Sequence, residues 1–172
     1  IAPIQGLAMT APKKTASNNA PTATKNGNDA IAMLKADHEA VSKLFAEYEK
    51  TRSAPDKKAI VEELCAALIV HAQIEEEIFY PAVKAALKDK LLVPEATVEH
   101  ASVKDLIGQL EGVEPDTELY DAKVKVLSEY VKHHVKEEQS EMFPKAKGSS
   151  LDMNELGARM AARKDELMAQ TA

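Results

Sequence analysis

Two stretches decide the fold: His71-Ala72-Gln73-Ile74-Glu75-Glu76-Glu77-Ile78-Phe79-Tyr80-Pro81 and His134-Val135-Lys136-Glu137-Glu138-Gln139-Ser140-Glu141-Met142-Phe143-Pro144. His, Glu and Pro stand at matching positions in both, 63 residues apart. Upstream of each stretch a second pair agrees: Asp37-His38 and Glu99-His100, 62 residues apart. A period this long indicates a duplicated helical hairpin rather than a solenoid. Each half carries one His on its first helix and His-x-x-x-Glu on its second.

The surrounding apolar residues recur at three- and four-residue steps, the mark of amphipathic helices. Ile31, Leu34, His38, Val41, Phe45 and Tyr48 form the first stripe, with Asn28 or Asp29 as its cap. After the break at Ser53-Ala54-Pro55-Asp56 comes a second: Ile60, Leu64, Leu68, His71, Glu75, Ile78 and Phe79. Pro81 should kink or end that helix, with a short continuation through Leu87. Pro94 suits the first turn of a third helix with stripe Ala96, His100, Val103, Ile107 and Leu110. The fourth stripe is Leu119, Val124, Leu127, Val131, His134, Glu138 and Met142, closing near Pro144. A last helix from about Leu151 shows Met153, Leu156, Met160 and Leu167 on one face. The expected fold is all-α: an antiparallel up-down four-helix bundle with an extra C-terminal helix. Residues 29–146 make the bundle, and residues 147–172 make the helix packed on it. Residues 1–28 read as a disordered N-terminal tail or an expression remnant. They lack the continuous apolar stretch of a secretory signal, although Ile1 to Met9 is mildly apolar.

Composition narrows the functions. The 172 residues hold 22 basic and 28 acidic side chains, a net charge of −6, so there is no basic surplus to neutralise nucleic-acid phosphates. No run of 18 apolar residues occurs, so no membrane span is expected. The single Cys65 excludes a disulfide framework and a Cys-rich zinc site. We read the chain as cytoplasmic, with no nucleic-acid or membrane partner and no motif that defines a protein partner.

The chemistry lies in the five histidines. Residues i and i+4 share a helical face, so each His-Glu pair can reach one small target. Both pairs lie on stripes that otherwise face the core, where an ionised Glu is costly unless compensated. Four neutral His and two Glu offer six donor atoms, and one or two divalent metals would resolve that cost. The donor set suits iron, manganese or zinc rather than calcium. The metal residues are therefore expected to be His38, His71, Glu75, His100, His134 and Glu138. His133 has the same spacing to Glu137, but His134 keeps the 63-residue offset and extends the Leu127–Val131 stripe, so His133 is assigned as a flank. Glu76, Glu77, Glu137 and Glu141 read as a solvated acidic face. Tyr130, one turn before His134, either borders the metal pocket or is an ordinary core tyrosine. Cys65 reads as a buried reduced thiol.

On these residues the chain resembles the hemerythrin-like family, also called the HHE cation-binding domain. The resemblance covers about Ala30 to Pro144. It implies a non-haem di-iron centre: two iron ions joined by an oxo or hydroxo group, with Glu75 and Glu138 as bridges. His38, His71, His100 and His134 would be terminal ligands. Oxygen-carrying hemerythrins have a further His one turn after the third-helix His, where this chain has Lys104. They also have an Asp five residues after the last His, where this chain has Gln139. Fewer protein ligands leave more open positions. That favours binding or sensing of oxygen, peroxide, nitric oxide or iron over reversible oxygen carriage, with a small diatomic or peroxide as the ligand. The competing class is a di-iron enzyme with peroxidase, catalase-like or oxidase activity, for which no organic substrate pocket is evident. A structural zinc bundle is a third, and a bis-His haem bundle would leave both Glu unexplained.

Overall fold

The computed structural model describes residues 29–171; the tail expected over residues 1–28 lies outside them. Every described element is helical: α1 Ala30–Lys50, α2 Ala54–Ile74, α3 Tyr80–Ala86, α4 Leu92–Glu111, α5 Glu118–Glu137, α6 Phe143–Lys147 and α7 Met153–Thr171. Local chemistry explains the boundaries. Asp29 caps α1 by accepting from the Ala32 N–H at 2.8 Å. Pro55 sits in the first turn of α2, where its missing N–H is not needed. Thr117 Oγ1 caps α5 by accepting from the Tyr120 N–H.

Two joints depart from the regular period. Between α2 and α3, Glu75–Phe79 forms a π-turn, and between α5 and α6, Glu138–Met142 forms its repeat. In each, a backbone bond spans five residues: Tyr80 N–H to the Glu75 carbonyl, and Phe143 N–H to the Glu138 carbonyl. Both joints sit two residues before a proline, whose ring would press on the carbonyl four residues back in a regular helix. The widened turn lets the chain pass Pro81 and Pro144 without breaking, so the fourth helical run continues to Lys147 instead of closing at Pro144.

The bundle packs as the stripes predict, with local corrections. Leu119 is exposed and Tyr120 takes its place inside, because Tyr120 lies four and seven residues before Val124 and Leu127. Ile78 is only partly buried. Two apolar clusters fill the interior. One joins Leu34, Ile74, Phe79, Phe143 and Met160, and the other joins Phe45, Leu64, Ile107 and Leu127. Each helical run that carries an inward His passes from one cluster to the other. Leu34-His38-Val41, Leu68-His71-Ile74 and Ala96-His100-Val103 all place their His between the two clusters, in a polar belt across the bundle. Helix α7 packs on α1 and α2. It buries Leu156, Met160 and Leu167 in the first cluster, and Arg163 reaches Glu77 at 2.7 Å.

Candidate metal centre

The belt gathers all six residues singled out in the sequence. His38, His71, His100, His134, Glu75 and Glu138 are buried, Glu75 completely. Their donor atoms form two overlapping sets: His38, His71, Glu75 and Glu138 in one, and His100, His134 and Glu75 in the other. His38 Nε2 and His71 Nε2 are 3.1 Å apart, as are His100 Nε2 and His134 Nε2. Glu75 spans the two sets: Oε1 lies 3.3 Å from His71 Nε2, and Oε2 lies 3.2 Å from His100 Nε2. Glu138 Oε2 lies 3.3 Å from His38 Nε2 and 3.5 Å from His134 Nε2.

The other ring nitrogens explain why every Nε2 points inward. His71 Nδ1 is 3.3 Å from Asp37, His134 Nδ1 is 2.6 Å from Glu99, and His100 Nδ1 is 2.9 Å from Glu76. His38 Nδ1 is 3.0 Å from the Gln139 amide, which can accept from it in one of its two orientations. The pattern obeys the duplication: the acid before one histidine holds the histidine of the partner helix, and the residue after each Glu holds a histidine across the bundle. A ring fixed through Nδ1 presents Nε2 as a lone pair, the arrangement metal-ligating imidazoles use. Glu76 is therefore not part of a free acidic face. It orients His100, and Lys104 clamps it at 2.8 Å on both oxygens. The two positions that depart from the oxygen carriers, Lys104 and Gln139, both serve imidazole orientation.

Charge tests whether a metal fits. Burial alone would lower the His71 imidazolium, yet the charge of the adjacent Glu75 and the hydrogen bond to Asp37 hold it up to about 10. His134 is likewise opposed by burial and raised by Glu99 and Glu138. Carboxylates that favour the charged form of His71 and His134 against burial mark a cluster short of positive charge. Glu75 Oε1 and Glu138 Oε2 make no hydrogen bond although both are buried, an arrangement that costs about 1–3 kcal/mol per group if uncompensated. First-row ions bind N and O at about 2.0–2.2 Å, which separates adjacent donors by about 3.0–3.5 Å. The separations here match, so the residues present fit a metal, and the buried groups point to metal binding.

Tyr80 joins the donors although its spacing in the sequence does not point to them. Its hydroxyl donates to Glu138 Oε1 at 2.7 Å and lies 3.2 Å from Glu75 Oε2, 3.2 Å from His100 Nε2 and 3.5 Å from His134 Nε2. Burial first, then Glu75 and Glu138, hold the phenol well above its ordinary pKa, so it keeps its proton. At 100° per residue Tyr80 would lie about 140° from Glu75; the π-turn turns it back onto the same face. Tyr130, the tyrosine considered from sequence, is neither in the core nor beside the pocket: it is 47% exposed, because it projects from the outer face of α5. Cys65 is half-buried rather than buried, and burial followed by Glu111 pushes its thiol up to about 11. His133 is exposed and lies outside the interior cluster, against Glu99 and Glu137.

Beside the four imidazoles is a cavity of ≈ 30 Å³, walled by Val41, Leu68, Val103 and Val131. That is room for a molecule about the size of water or a diatomic, and for no organic substrate. No helix among the described residues is long and apolar enough to cross a membrane.

Comparison with known proteins agrees with this geometry. A crystal structure of a hemerythrin HHE cation binding domain-containing protein from Mycobacterium kansasii superposes with a TM-score of 0.72 at 26% identity, covering 83% of this chain and 88% of that one. An uncharacterized protein of Mycobacterium tuberculosis is 25% identical over 118 residues, 67% of this chain and 71% of its own length. A DNA nickase of Nostoc is 26% identical over 111 residues, 64% of this chain, and this chain spans only 31% of that protein. The model of the hemerythrin HHE cation binding domain matches residues 29–146, the whole of the bundle that carries the six donors. The chain belongs to the hemerythrin HHE cation-binding domain family.

Proposed function

We propose that this bundle holds two iron ions in its polar belt and binds or senses a small ligand there: oxygen, peroxide or nitric oxide. The observation that supports it best is the division of six buried donors into two sets that share a carboxylate, beside a cavity of ≈ 30 Å³. Iron would supply a reversible change of oxidation state at positions open to such a ligand. His38 and His71 would hold one ion and His100 and His134 the other, with Glu75 and Glu138 between them.

The remaining residues do the positioning. Asp37, Glu76, Glu99 and Gln139 lock the imidazoles and keep each Nε2 free to bind. Val41, Leu68, Val103 and Val131 keep bulk water off the open side and limit what enters by size. Tyr80 holds a proton in the belt, within 3.5 Å of four donor atoms.

That proton favours a second reading, a di-iron enzyme that turns over peroxide or oxygen, since reducing either one consumes protons. Anaerobic loading with ferrous iron, followed by metal analysis, tests the shared premise; fewer than about one iron per chain would sink it. Stopped-flow mixing of the loaded protein with peroxide or oxygen separates the readings. Sustained turnover supports the enzyme, and a reversible spectral change without turnover supports a binding or sensing role.

A further inference from the structure

The interior centre is buried, and the two halves of the bundle are covered differently. On the α1–α2 side the residue before His38, Asp37, gives one oxygen to His71 Nδ1 and the other to the Lys164 ammonium of α7. Beneath α7 lie Val70 and Ile74, both buried. On the α4–α5 side no helix among the described residues covers the corresponding face. Glu99 gives Oε2 to His134 Nδ1 at 2.6 Å, and its Oε1 faces outward. Val70 and Ile74 are replaced, 63 residues on, by His133 and Glu137. His133 Nε2 lies 3.2 Å from Glu99 Oε1 and 3.2 Å from Glu137 Oε1. Among the described residues neither acid pairs with a Lys or Arg, so the place held by Lys164 in one half has no fixed cation in the other.

These three donors lie within 4.8 Å of one another on a half-exposed surface, and the two 3.2 Å separations from His133 suit a first-row ion bonded at about 2.0–2.2 Å. A small cleft adjoins both the outer donors and the interior set. Its volume is ≈ 10 Å³, room for about one water, and it is lined by Glu95, Glu99, Glu137, Glu138 and Met142. Glu138, one of the interior donors and 2% exposed, forms part of that lining. Glu99 touches both His133 and the interior ligand His134, and Glu137 precedes the interior ligand Glu138. Imidazole with two carboxylates selects a borderline divalent ion over calcium or magnesium.

We propose that Glu99, His133 and Glu137 form an external site for a divalent first-row metal ion, through which the interior centre is loaded from the α4–α5 face. The proposal rests on the interior cluster being a metal centre. The exchange is a transfer of one aquated ion from three outer donors to the inner set, with release of water and of the imidazole protons the ion replaces, and no change of oxidation state.

The test uses the full chain under anaerobic conditions. Ferrous iron is added at two equivalents, and bound metal is counted after rapid desalting at timed intervals. In His133→Ala/Glu137→Gln, loading is expected to slow at least tenfold while the end point stays at the wild-type count. The single variant His133→Ala gives an intermediate rate. Both positions are on the surface, and circular dichroism checks the fold. A second measurement uses Mn(II) and electron paramagnetic resonance on Glu75→Ala/His71→Ala, in which the interior is disabled. One weaker ion per chain is expected, and it disappears when His133→Ala is added. Wild-type loading rates in the double variant, or no outer ion in the disabled protein, overturn the proposal. A wild-type chain that binds only the outer ion overturns the interior reading and the loading role with it.

Discussion

The two hairpins, α1–α3 and α4–α6, share a plan and differ at the points that matter for chemistry. Both present His, then His-x-x-x-Glu, a π-turn and a proline. At the residue after the π-turn the first has Tyr80 and the second has Phe143. Tyr80 brings a hydroxyl into the belt among His100, His134 and both carboxylates. Phe143 instead stacks on His38, with ring centroids 5.9 Å apart and planes 3° from parallel. The outer faces also differ: one is capped by α7 and Lys164, and the other, at Glu99, His133 and Glu137, is covered by no other described helix. The repeat places a symmetric set of donors in the belt, while the Tyr80 hydroxyl sits beside His100 and His134 and α7 covers only the α1–α2 face.

The strongest way to break this comparison is to remove a shared ligand. Glu75→Ala serves both sets, so it should cut bound iron from two to below one per chain by metal analysis. His134→Ala should strip its own half first and leave about one.

Tyr80→Phe makes the halves alike. Metal content should persist, while reaction with peroxide slows on the order of 100-fold in stopped flow, the size of a lost proton donor. In the metal-free protein the same change leaves Glu138 Oε1 without its donor and should lower stability by about 1–3 kcal/mol in denaturant melts. Unchanged peroxide kinetics would reduce Tyr80 to packing.

Met160→Ala tests the cover. Met160 is fully buried between α7 and the first apolar cluster, and its truncation should cost about 2–5 kcal/mol. Hydrogen exchange should then rise around Val70 and Ile74 more than around His133 and Glu137.

A smaller effect concerns pH. Hydrogen bonds from Arg163, then Gln73, hold Glu77 down to about 2. A depressed carboxylate contributes stability above its ordinary value of 4.5, and loses it as pH falls toward 2. The difference in melting temperature between wild type and Arg163→Ala should therefore be present at pH 6 and vanish near pH 2. Smallest of all, at two equivalents of added iron His133→Ala should leave the final iron content at the wild-type value, because the interior set outcompetes the weaker outer donors. Loss of an interior ion in that variant would mean that His133, and not His134, completes the interior set.

Much of this was legible in the chain because it is local and periodic. Side-chain direction on a helix follows from spacing, so Leu34-His38-Val41 and Leu127-Val131-His134 show their inward faces without any knowledge of neighbours. The 63-residue repeat then chooses His134 over His133. Tyr80 was hidden because a π-turn inserts one residue into that period, and nothing short of the hydrogen-bond pattern locates the insertion. Glu76 and Gln139 were hidden for another reason: their partners lie 24 and 101 residues away, on helices whose approach is set by packing.

By itself, then, the sequence determined the helices, their inward stripes and the six interior donors, because each follows from backbone period and from the cost of burying charge. Tertiary structure alone decided which acid holds which imidazole, that Tyr80 enters the belt while Tyr130 stays outside, and that α7 covers one face and leaves its counterpart open. Those outcomes depend on how distant segments pack against one another, and no local spacing encodes that.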